Sequence, residues 1–277
     1  MEWLARIQYL DRRIIFLLMG LSILVPVLFP IPLEFKVDER VQNLYNAVEA
    51  LPEGSTVLIS ADFDPGSRPE LEPFYRANLD HLFRKNVKVV VVTLWPYAPG
   101  LVLPMLDEHA AKYGKVKGVD YTFLGFKEGK ELVMKEMGVN LRQTFPTNYE
   151  GTPLDQLPIM NGLKQLKDFP LLVLISAGFP GTKEWVLQVQ SQYNLKMVSS
   201  CTAVQTPDYI PYYKSGQLLG LAGGMPGSAQ YEKLVGVPAE KAMATRGVNV
   251  LNLGHAFIIL AIVLGNISYF ASKRKGA

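Results

Sequence analysis

KVVVVTLW, residues 88–95, is the stretch on which the fold turns. Four consecutive valines have no polar alternation. A run of this kind reads as a strand buried on both faces, as in a parallel sheet. On its N-terminal side, residues 71–85 carry a helical stripe of Leu71, Phe74, Tyr75, Asn78, Leu79 and Leu82. Before that lies a short apolar strand, Thr56 to Ser60, behind the breaker Pro52-Glu53-Gly54. Residues 39–51 repeat the helical spacing with Val41, Leu44, Tyr45, Val48 and Leu51. On its C-terminal side the alternation continues. A loop from Pro96 to Gly100 precedes a helix over 101–113. A strand from Val119 to Phe126 and a helix from Glu128 to Met137 follow, the helix stopped by Gly138. After a long loop, Val139 to Pro153, a helical pattern over 154–167 leads into a buried strand, Leu171 to Ala177. A helix over 181–193 and a strand from Leu195 to Val204 come next. Helices over Tyr209 to Leu221 and Ser228 to Val235 close the series. Strands alternating with helices of this length imply βαβ units. The expected fold is α/β: an open, mostly parallel, Rossmann-like sheet of about five strands with helices on both faces.

Both ends of the chain are apolar. Ile14 to Pro32 (IIFLLMGLSILVPVLFPIP) contains no charged side chain, and about 20 apolar residues span a bilayer core. Arg12-Arg13 would also suit the basic region of a cleaved signal peptide. Pro26, Pro30 and Pro32 stand where a small-x-small cleavage site would be, and they favour a retained span. The second run, Val248 to Ser272, is followed at once by Lys273-Arg274-Lys275, a stop-transfer pattern. Basic residues flank the outer edges of both runs, which puts both termini in the cytoplasm. The expected organisation is therefore a cytoplasmic tail over 1–13 and a first span over 14–33. An extracytoplasmic α/β domain over 34–247, a second span over 248–272 and a cytoplasmic tail over 273–277 complete it.

The second span carries polar residues. Asn252, His255 and Asn266 fall within about 60° of one another at 100° per residue. They read either as headgroup-level residues or as a face that packs on another span by hydrogen bonding. Either reading makes a homo-oligomer or another membrane partner the expected company.

Composition narrows the function classes. The net charge of +3 comes mostly from the C-terminal Lys-Arg-Lys, so the body is close to neutral and has no electrostatic footprint for nucleic acid. A single cysteine, Cys201, forbids an intrachain disulfide. Three histidines and that cysteine make a zinc cluster a poor expectation, and no metal site is assigned. Nothing in the sequence names a cofactor.

Ligands of open parallel sheets bind beyond the carboxyl ends of the strands. Four loops lie there. The first, Asp62 to Ser67 (DFDPGS), offers Asp62 and Asp64 as hard oxygen ligands or a base, against an Asx turn introduced by Asp64. The second is Trp95 to Gly100. The third, Ser176 to Thr182 (SAGFPGT), places Ser176, Gly178 and Thr182 at a helix start suited to an anion. It matches neither a dinucleotide fingerprint nor a P-loop. The fourth holds Ser199, Ser200 and Cys201, with no G-x-S-x-G elbow and no neighbouring histidine. The ligand candidates are thus Asp62, Asp64, Ser67, Ser176, Gly178, Thr182 and Ser200. A small molecule is the ligand expected there.

Asp62 to Val92 can be set against the D-x-P-G-G turn of membrane-bound serine peptidases. Ser67 stands where the second glycine belongs, and no Ser-Gly-Gly segment is present. No catalytic residue is carried over. The glycine-rich segment from Ser215 to Glu232 reads as close backbone packing, or as a partner surface. The leading expectation is a non-catalytic binding or assembly subunit of a membrane complex. A membrane-anchored hydrolase or transferase is the second, and a sensory or transporter-associated module the third.

Overall fold

The computed structural model describes residues 11–29 and 35–273. Two compact units emerge: residues 36–244, and a second that takes in the described residues before 36 and after 244. The larger unit is built on six parallel strands: β1 (Thr56–Asp62), β2 (Lys88–Thr93), β3 (Tyr121–Phe126), β4 (Leu172–Ser176), β5 (Met197–Cys201) and β6 (Gly220–Gly223). Their order is β3-β2-β1-β4-β5-β6. The chain runs outward from β1 to β3, crosses back over the sheet, and runs outward again from β4 to β6. That reversal falls between β1 and β4, the position at which sheets of this kind hold their ligands.

KVVVVT forms β2, and its valines are divided between two cores. Val89 and Val91 point into one with Val57, Ile59 and Val173; Val90 and Val92 point into the other with Leu58, Leu172 and Leu174. Each buried valine stabilises the fold by about 1.5–3 kcal/mol relative to leaving it in water. The first core is closed by α2 (Glu39–Glu49), α3 (Arg68–Arg84), α4 (Pro99–Lys112) and α8 (Gly224–Val235). The second lies beneath α5 (Glu131–Val139), α6 (Thr182–Trp185) and α7 (Thr206–Lys214). α6 continues as a π-turn, Val186–Gln190, and a last turn, Ser191–Tyr193.

Several expectations are corrected here. The sheet has six strands, and β6 begins inside the stretch expected as a helix to Leu221 and runs past its end. Gly220 is why: a side chain there would stand 2.3 Å from the Leu44 backbone of α2, an approach that only a glycine allows. The glycine-rich segment is thus a packing device, since a Cβ on Gly227 would meet the Ala222 backbone at 2.8 Å. The pattern over 154–167 resolves into three 3-10 turns, Leu154–Gln156, Pro158–Met160 and Leu166–Asp168. Gly138 does not stop its helix. It is the penultimate residue of α5, and glycine is required there because a Cβ would strike the Tyr193 ring at 2.6 Å.

Two of the three histidines are held by carboxylates within the larger unit. His81 is wholly buried between Glu49, at 2.7 Å, and the Tyr231 hydroxyl, at 2.9 Å. His109 meets Asp80 at 2.8 Å. Both sit in helices.

The smaller unit contains α1 (Arg12–Leu28) and most of α9 (Met243–Lys273). Among the described residues, one helix is long and apolar enough to cross a membrane, Met243–Phe270. The first apolar run, expected as a span over 14–33, forms the 17-residue α1 with Pro26 inside it. Residues 30–33 of that expected span lie outside the described residues.

Candidate functional site

The carboxyl edge of the sheet is built from the strand ends. Register aligns Asp62 of β1 with Ser176 of β4, Ser176 with Cys201 of β5, and Cys201 with Gly223 of β6. Two of the residues nominated from separate loops are therefore neighbours at the switch in strand order.

Asp62 is 1% exposed. Its carboxylate accepts hydrogen bonds from Ser60 Oγ at 2.5 Å, the Leu94 N–H at 2.6 Å and Thr93 Oγ1 at 3.2 Å. Burial pushes its pKa up to about 6, and these donors hold it from rising further. Ser176 is equally buried, its hydroxyl 3.3 Å from the Gly178 carbonyl. The loops after β2 and β4 are tied together beside them. Trp95 Nε1 donates to the Pro180 carbonyl at 2.9 Å. Gly178 leaves room for the Trp95 ring, which a Cβ would approach to 3.1 Å. Gly181 sits where a Cβ would stand 2.2 Å from the Gly178 carbonyl, and its N–H donates to Glu184.

The remaining candidates divide. Thr182 hydrogen-bonds Ser199 at 2.7 Å inside the core. Ser200 is fully buried with its Oγ unpartnered. Cys201 lies in the second core, where burial pushes its thiol up to about 12. A thiol so shifted carries almost no nucleophilic thiolate at neutral pH. Asp64 accepts from the Ser67 N–H at 2.9 Å and from Ser67 Oγ at 2.7 Å, and these bonds hold its carboxyl below the usual range. This is the Asx turn at the start of α3, so Asp62 and Asp64 have separate sets of partners.

The open space lies to one side of the switch point. A cleft of about 690 Å³ runs between the loop after β4 and helix α7. Gly178 and Phe179 line it from the loop, Lys183 and Glu184 from α6, and Gln205, Asp208, Tyr209 and Tyr212 from the α7 side. Ligand pockets of roughly 300–1,000 Å³ commonly combine apolar and aromatic walls with a few fixed polar groups. Of the nominated residues, only Gly178 lines this cleft. The others around it were missed, although TPDYIPYYK (206–214), with three tyrosines and two prolines at a strand exit, signals those from α7: Asp208, Tyr209 and Tyr212.

A six-stranded parallel sheet in this order, with helices on both faces and an open carboxyl-edge cleft, defines a doubly wound α/β domain. No family model matches the chain, and no curated protein matches it either. Among solved structures it is similar to the trehalose-6-phosphate synthase OtsA, at 9% identity and a TM-score of 0.33, over 88% of this chain and 48% of that one. A second is the Escherichia coli trehalose-6-phosphate protein bound with UDP-2-fluoro glucose, at 11% identity and a TM-score of 0.33, over 86% and 47% of the two chains. A third is the N-terminal domain of Candida albicans trehalose-6-phosphate phosphatase, at 13% identity and a TM-score of 0.32, over 82% and 44%. The chain spans about half the length of these structures. At such scores neither its fold nor its activity rests on them.

Proposed function

We propose that this chain is a membrane-anchored, non-catalytic binding subunit whose ligand occupies the cleft between the β4 loop and α7. In this reading α1 and α9 both cross the bilayer. The basic residues outside each span place both termini in the cytoplasm and the α/β domain on the far side. One observation carries the binding reading. The hydroxyls, thiol and carboxylate that could perform chemistry at the edge are buried, while the adjoining cleft is open and lined by rings and charges. Aromatic walls with Lys183, Glu184 and Asp208 suit a small organic ligand or a peptide end that carries both an apolar group and a charge.

Native mass spectrometry of the full-length protein, extracted from native membranes into nanodiscs, tests this. A bound small species is expected on the wild type. Changing Tyr212→Ala and Lys183→Ala together should weaken its retention about tenfold or more, since buried aromatic anchors dominate such sites. Equal occupancy in wild type and double variant would contradict the assignment.

A second reading has one specific observation in its favour. Asp62 and Ser176 are register partners at the switch point, as a hydrolase or transferase built on these loops requires. Opening the Trp95–Pro180 hydrogen bond would be needed to expose them. A fluorophosphonate probe that labels the wild type but not Ser176→Ala would support this reading over binding alone.

A further inference from the structure

Helix α9 carries two patterns with seven-residue spacing. The first is Gly254, Phe257, Ala261, Leu264 and Ser268, all buried or partly buried. This side faces α1. A Cβ on Gly254 would stand 3.8 Å from Ile23 and 3.9 Å from Met19, and Phe257 shares an apolar groove with Leu18, Leu21 and Val25. The second pattern is Asn252, His255, Ile259, Ile262, Asn266 and Tyr269, in alternating steps of three and four. It lies on the order of 150° around the helix from the first. All six residues are exposed, Ile259 at 63%, Ile262 at 58% and Tyr269 at 53%. The side chains of Asn252, His255 and Asn266 make no hydrogen bond among the described residues.

An amide facing hydrocarbon is costly unless a neighbouring helix supplies its partner. Helix α1 packs on the other side and cannot supply one. Steps of three and four are the spacing of a left-handed helix–helix seam, in which apolar residues interlock and a polar residue fixes register. Membrane helix pairs mostly cross in that sense. The chemistry of the stripe selects the occupant. An asparagine amide both donates and accepts, so the same residue of a two-fold-related copy satisfies it. Asn252 and Asn266 stand two heptads apart, and each would meet its own counterpart in a parallel pair. No Lys, Arg, Asp or Glu lies in the seam to repel its copy.

We infer that α9 is a dimer seam. Two copies of this chain pair in parallel through Asn252, His255, Ile259, Ile262, Asn266 and Tyr269. The inference rests on α9 being a membrane span and is independent of the cleft.

Cysteine scanning tests it in the full-length chain. Positions 251–270 are changed to cysteine one at a time, and native membrane vesicles are oxidised with copper phenanthroline. Cys201 is buried, so background cross-linking is low. Cross-linked dimer should peak at the six seam positions and reach a minimum at Phe257, Ala261 and Leu264. Asn266→Val, which suits the bilayer better than asparagine, should weaken self-association about threefold to thirtyfold. Cross-links that peak on the Gly254 side, a uniformly low yield, or capture of a different protein in place of a second copy would each overturn the seam. Carbonate extraction separates two kinds of failure. Release of the chain overturns the membrane span itself, whereas a retained chain without the heptad pattern overturns only the dimer.

Discussion

Gly220→Val is expected to leave the larger unit unfolded at physiological temperature. Gly220 opens β6, the last strand of the sheet, and α2 lies directly against it. A Cβ would stand 2.3 Å from both Cα and N of Leu44. Both neighbours are backbone, so no side chain can rotate away. Relief requires α2 to lift, which uncovers the fully buried Leu44 and Val48, or β6 to leave the ladder. Overpacking in a core commonly costs about 1–3 kcal/mol. A backbone–backbone collision belongs in the exceptional range, about 4 kcal/mol or more. Gly100→Ala is the control, because nothing lies within 4 Å of a Cβ at that exposed position. Urea unfolding followed by circular dichroism should show the control near wild type and Gly220→Val without a folded baseline. Matching midpoints for the two variants would show that β6 and α2 do not pack as described.

The second large effect concerns Asp62 and pH. Burial raises its pKa from 3.8 to about 6 in the folded chain. The folded protein therefore holds a proton that the unfolded chain has already released. The stability from that proton is fully present below about pH 3.8 and is lost as the pH rises through about 6. About two units at 1.36 kcal/mol each make roughly 3 kcal/mol. Other carboxylates titrate in the opposite sense. Asp80 and Glu72, for example, are held low by His109 and by arginines despite burial. The difference between wild type and Asp62→Asn isolates the one group, provided the substitution leaves its neighbours in place. That difference in unfolding free energy should fall by roughly 3 kcal/mol between pH 3.5 and pH 7.5. A flat difference would mean that Asp62 is solvated, and that the loops carrying Trp95 and Pro180 do not seal it.

Much of the fold was legible because the buried strands advertise themselves. KVVVVT, LVLIS and the helical stripes between them carry period and β-branching that admit few other readings. β6 was not legible. GLAG is four residues long, begins and ends in glycine, and has no β-branched side chain. Its state is set by β5 and α2, which precede it in the chain, so local pattern could not reveal it.

The candidate residues were legible in part. The rule for parallel sheets points to the carboxyl edge, and the register brings Asp62 and Ser176 together there. An aspartate at a strand end reads as a ligand. Whether it is exposed depends on the Leu94 amide, 32 residues away, and on the loop around Pro180. Sequence period carries no record of that closure. The cleft depends on α7 lying across from α6, again a tertiary fact. Along α9 the polar stripe was visible from spacing alone. Its position opposite the face that packs on α1 was not, and that opposition gives Asn266 its meaning.

The account depends most on the α/β unit standing on the non-cytoplasmic side of a membrane. Val204 is 84% exposed, on the loop after β5, and the only native thiol is buried. Intact cells expressing Val204→Cys can be treated with a membrane-impermeant maleimide. The account predicts labelling without permeabilisation, with none on the wild type. Labelling that appears only after the membrane is opened would place the domain in the cytoplasm and contradict it.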